Sequence, residues 1–136
     1  MAVSGEIPGG DGTTMTTAAN PEFPRPLGDD ERDLIEALLG AVRAGARRYL
    51  GQLESVEVVG FCRCGCPSID LQVASKHSDG RATPLILADA ESPGGEPVGV
   101  ILWVRGGSLS RLEVHPWNGT APVRLPRPET LTNFRK

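Results

Sequence analysis

Apolar side chains recur at helical spacing from residue 34 onward: Leu34, Ile35, Leu38, Leu39, Val42, Ala46, Tyr49 and Leu50. This stripe predicts one helix, capped by Asp29 or Asp30. Glu31, Asp33 and Glu36 lie near its start, and Arg43, Arg47 and Arg48 near its end, as the helix dipole favours. Gly40 and Gly45 weaken it, each by about 1 kcal/mol against alanine. Gly51 is the expected stop. A single amphipathic helix cannot bury its own stripe, so a sheet must lie beneath it.

Beyond residue 55 the period changes from helical to alternating. Val56, Val58 and Val59 open a strand, and Ile69, Leu71 and Val73 alternate with Ser68, Asp70 and Gln72. Leu85 to Leu87 reads as a short strand and Ser92-Pro93-Gly94-Gly95 as a turn. Val98 to Val104 is apolar on both faces and should lie inside the sheet. Gly106-Gly107 predicts a two-residue hairpin turn, because adjacent glycines accept positive φ. Leu109 to His115 then returns antiparallel. The fold class is α+β: an N-terminal helix on an antiparallel sheet of four or five strands.

The ends have no such pattern. Residues 1–27 carry glycines, threonines and Pro21, Pro24 and Pro26, too little apolar surface to offset the entropy of ordering. They read as a disordered lead-in, and Met15 is an alternative start. Residues 28–117 form the domain. Residues 118–136, with Pro122, Pro126 and Pro128, form an extended tail that packs on the body through Leu125, Leu131 and Phe134.

A tight two-residue turn sets Leu102 opposite Arg111 and Val100 opposite Glu113, with Trp103 opposite Ser110 and Ile101 opposite Leu112 on the reverse. The reverse side is the cleaner apolar cluster and is expected to take the helix. The side bearing Val100, Leu102, Arg111 and Glu113 is mixed. It suits a protein partner or self-association, unless the tail covers it.

Composition narrows the function classes. The 136 residues carry a net charge of -3, which argues against a general nucleic-acid binder. The longest apolar run, Val98 to Val104, is far short of the roughly 20 residues of a membrane helix. The start lacks the basic and apolar segments of a signal peptide, so a cytoplasmic location is expected. Acidic residues concentrate at 29–36 and basic ones at 124–136; two solvated surfaces are the preferred reading, with mutual attraction the other.

All 3 cysteines fall in the window Cys62-Arg63-Cys64-Gly65-Cys66. On an ideal strand, alternate residues are about 7 Å apart, too far for thiolates sharing one zinc. A turn at Gly65 would draw them together. Three soft thiolates suit zinc or copper(I), with His115 or His77 as the fourth ligand. A redox role is the other chemical reading: a disulfide across one residue is strained, and Arg63 favours thiolate. Against both stands the reading that these are small apolar residues beside a turn. Asp70, Glu113 and His115 have acid/base chemistry, but nothing in the sequence brings them together. The chain shows no phosphate-binding glycine loop, nucleophile elbow or paired-histidine zinc motif.

The segments Cys-Arg-Cys-Gly-Cys-Pro-Ser-Ile-Asp-Leu and Gly-Val-Ile-Leu-Trp-Val-Arg-Gly-Gly-Ser-Leu-Ser-Arg-Leu-Glu-Val, with the proline-rich end, resemble a group of small uncharacterised actinobacterial proteins. The resemblance spans about residues 29–131 and implies a compact α+β unit; it carries no activity or site residue with it. The expected function is a non-enzymatic cytoplasmic binding or interaction domain. The alternative is a thiolate metal-binding or thiol-redox protein.

Overall fold

The computed structural model describes residues 23–42, 44–62, 66–73, 80–117 and 124–136. The expectations for residues 1–22, Arg43, Arg63, Cys64, Gly65, His77 and Pro122 lie outside the described residues. The fold is α+β and dominated by its sheet. In chain order the elements are β1 (Arg25–Pro26), α1 (Asp29–Leu39), α2 (Ala46–Gln52), β2 (Val56–Phe61), β3 (Ile69–Val73), β4 (Thr83–Glu91), β5 (Pro97–Arg105), β6 (Ser108–Pro116), a 3-10 turn at Pro128–Thr130, and β7 (Thr132–Arg135).

Among the described residues the sheet has seven strands rather than four or five, in the order β1-β2-β3-β6-β5-β4-β7. Every pairing is antiparallel. The two added strands come from segments read as lead-in and tail. Arg25 and Pro26 pair with Val58 and Glu57, and β7 pairs with β4 at Leu87 and Asp89. The body therefore extends beyond residues 28–117. Both edge strands are short, two and four residues, which limits the backbone they leave unpaired.

The expected single helix is two. α1 ends at Leu39, with Gly40 as its C-cap. Gly45 takes φ 82°, a left-handed conformation that a glycine adopts without Cβ strain, and α2 starts after it. Gly45 thus breaks the helix instead of weakening it, while Gly40 keeps an ordinary right-handed conformation. Gly51 lies inside α2, which runs to Gln52.

Nor is the cap an aspartate. Gly28 is the N-cap, and its N–H donates to Glu31 Oε1 at 2.8 Å. Glycine has no side chain to reciprocate, so this is half a capping box. Arg25 holds the same carboxylate through two hydrogen bonds of 3.0 and 2.9 Å. β1 and α1 are thereby locked at one ion pair. Asp30 and Asp33 of α1 line one cleft with Arg124 and Arg127, so the acidic and basic segments adjoin.

Leu34, Ile35, Leu38 and Leu39 are fully buried. They join one core with Val56, Val58, Ile69, Leu71, Val73, Ile86, Val98, Val100, Leu102, Leu112 and Val114. The register of the central hairpin decides which sheet face this is. Gly106 and Gly107, at φ 58° and 80°, make the predicted turn. A bulge follows at once: Val104 pairs with Leu109 but Trp103 pairs with Arg111, leaving Ser110 as the extra residue.

One inserted residue shifts every later pairing between β5 and β6 by one, which exchanges the faces of one strand relative to the other. Leu102 therefore faces Leu112 and Val100 faces Val114, not Arg111 and Glu113. Val100 and Leu102 lie in the core at 0% exposure. On β5 the helix-facing and open sides are the reverse of the expectation, while Leu112, Arg111 and Glu113 of β6 lie on the sides expected of them. Similar shifts leave Val59 extra in β2 and Leu85 extra in β4.

Candidate functional site: the cysteine hairpin and the open sheet face

β2 and β3 meet at the loop that carries the cysteines. The Cys62 N–H donates to Ser68 O at 3.2 Å, closing the mouth of the loop. Cys62 and Cys66 are both half-buried. The Cys66 thiol donates to Ser68 Oγ at 3.4 Å. Ser68 is itself buried, and its hydroxyl accepts from Val114 N–H at 2.8 Å and donates to Val114 O at 3.1 Å. A side chain thus continues the β3–β6 ladder just beyond Ile69 and Leu112. The alternation sets Ser68 with Asp70 and Gln72 on the wet side of the strand, so nothing in it points to this buried role.

Among the described residues, His115 is not grouped with Cys62 and Cys66 to hold a metal. Among the described residues no three His, Cys, Asp or Glu side chains are grouped to hold a metal. Cys64 and His77, the remaining expected ligands, lie outside them. The His115 ring instead covers Gly99, its partner on β5, so closely that a Cβ there would overlap the ring. The ring also tilts against Trp117, with centroids 5.0 Å apart.

The open face of the sheet holds the other candidates. Asp70 and Trp103 both pair with Arg111, so the three side chains form one row across β3, β6 and β5. Arg111 Nη1 bonds Asp70 Oδ1 at 2.8 Å, and Trp103 Nε1 donates to Glu113 Oε1 at 3.0 Å. Arg111 Nε lies 3.8 Å from Glu113. Burial pulls the Arg111 pKa down. The hydrogen bond and charge of Asp70, with the charge of Glu113, outweigh it and raise the pKa. Arg111 is thus held on the face between Asp70 and Glu113. Of the expected interaction residues, Arg111 and Glu113 lie here, while Val100 and Leu102 lie in the core.

A second cluster occupies the other end of the same face. Gly99 pairs with His115 on one side and Asp89 on the other. Asp89 accepts from Asn133 Nδ2 at 2.9 Å and from Arg135 Nη2 at 3.3 Å. Its pKa is lowered, first by the Asn133 hydrogen bond, against a smaller upward effect of burial. The charge and hydrogen bond of Arg135 and the hydrogen bond of Trp117 add to the lowering. Asn133 adopts φ 55°. The sequence signal for this cluster was Gly99, a glycine inside an apolar strand, which often marks a close approach.

No protein-family model, curated protein or solved structure matches the chain.

Proposed function

We propose that this chain is a non-enzymatic binding domain of the cytoplasm, and that the open sheet face around Trp103, Arg111 and Glu113 receives a protein partner. The observation that carries the reading is the asymmetry of the sheet. Its apolar face joins the helices in one core, while its other face presents a half-buried indole and a fixed row of opposite charges. Central aromatics and arginines are the residues that most often dominate protein interfaces. With both signs of charge held in place, such a face favours specificity over strength. No helix among the described residues is long and apolar enough to cross a membrane.

Reversing one charge tests this. Arg111→Glu should cost about 1 kcal/mol or less of stability, since the Asp70 pair is partly exposed. On native size exclusion of cell extract, the wild-type chain should elute in a complex and the variant at its own mass. Identical elution of the two would contradict the reading.

The thiolate reading keeps one supporting observation, the placing of Cys62 and Cys66 on one loop whose mouth the Cys62 N–H closes on Ser68 O. Metal analysis of protein purified under reducing conditions tests it: stoichiometric zinc or copper lost in Cys62→Ser supports it, and metal-free wild-type protein contradicts it.

A further inference from the structure

We propose that Trp117, Asp89, Asn133, Arg135 and His115, gathered around Gly99, form a binding site for a small neutral saccharide. This goes beyond the protein-binding reading and uses a different end of the open face.

The argument starts from Trp117. Its side chain is 54% exposed, a large apolar surface left in solvent. It is nevertheless held: the His115 ring lies against it, with centroids 5.0 Å apart. An exposed indole braced in this way offers a flat platform, and ordering it costs binding little entropy. One face of a pyranose ring is a patch of polarised C–H groups, which suits such a platform.

The hydroxyls of a saccharide need fixed donors and acceptors. Asp89 takes hydrogen bonds from Asn133 and Arg135. An ionised carboxylate has about four acceptor positions, so capacity remains for a hydroxyl. Hydrogen bonds to an ionised group are the stronger kind. Asn133 and Arg135 set further polar groups beside it. The Arg135 guanidinium also donates to Asn133 O at 2.8 Å, which fixes its position. A left-handed backbone at Asn133 turns its amide toward Asp89, and asparagine tolerates that conformation better than most residues.

Charge selects the class of ligand. Asp89 and Arg135 cancel, so the cluster has no net field to hold an ion. A neutral, polyhydroxylated ligand with one apolar face matches it.

The test is saturation-transfer NMR on the full chain with the methyl glycosides of glucose, galactose and mannose, and with N-acetylglucosamine. The expected result is transfer to the C–H protons of one ring face for at least one sugar. Affinity should fall about tenfold or more, a change of 1.4 kcal/mol or more, in Trp117→Ala. Asn133→Gly keeps the left-handed backbone available while removing the amide, and should weaken binding too. Trp103→Ala, at the far end of the face, should not. No transfer with any sugar, or transfer unchanged in Trp117→Ala, would overturn the proposal. So would tighter binding of glucuronate than of the neutral glucoside. The charge-reversal experiment at Arg111 reads the protein-binding face separately, so failure of one leaves the other standing.

Discussion

Ser68 and Gln52 each do with a side chain what the backbone cannot. Ser68 pairs with both backbone groups of Val114. Gln52, buried at the end of α2, donates to Gly107 O at 2.8 Å and accepts from Leu109 N–H at 2.9 Å. It ties α2 to the β5–β6 hairpin across 55 residues of chain. Removing either side chain leaves a buried donor and acceptor without partners. Ser68→Ala and Gln52→Leu should each cost about 1–3 kcal/mol in denaturant unfolding. A loss below a few tenths would show that water replaces the bonds freely. Neither role was legible beforehand. Hydrophobic periodicity reports what is buried, whereas these residues matter through contacts made 46 and 57 positions away.

At the scale of elements, the periodic segments were legible and their boundaries were not. The stripe Leu34, Ile35, Leu38 and Leu39 forms the inner side of α1, as its spacing required. Leu38→Ala should cost about 2–5 kcal/mol, because a fully buried leucine leaves a cavity. At Gly45 a left-handed conformation decided more than helix propensity, and the helix broke. The hairpin turn was readable from Gly106-Gly107, but the bulge at Ser110 was not. That single residue put Val100 and Leu102 of β5 in the core instead of on the open face.

The Arg25–Glu31 pair gives α1 a pH dependence. Burial pushes the Glu31 pKa up, but the hydrogen bonds from Arg25 and Gly28 and the Arg25 charge bring the net shift below the ordinary value. A lowered carboxyl pKa contributes stability that is complete above the ordinary glutamate pKa and is lost as pH falls through the lowered value. Glu31→Gln should therefore lose less stability than wild type between about pH 5 and pH 3. Parallel losses in the two proteins would contradict the assignment.

At the scale of the whole molecule, the two edge strands complete, among the described residues, a seven-stranded sheet with one covered and one open face. The α+β class was legible from the change of period near residue 55. The extra strands were not, since Arg25–Pro26 and Thr132–Arg135 have no alternation and owe their conformation to the edges they join. Site-specific photo-crosslinking tests the central claim most directly. A benzophenone amino acid at Ile101, on the open face, is compared in cells with one at Leu50, exposed on α2. The account predicts a discrete crosslinked partner from position 101, abolished by Arg111→Glu, and none from position 50. Crosslinks from position 50 alone, or from neither position, would contradict it.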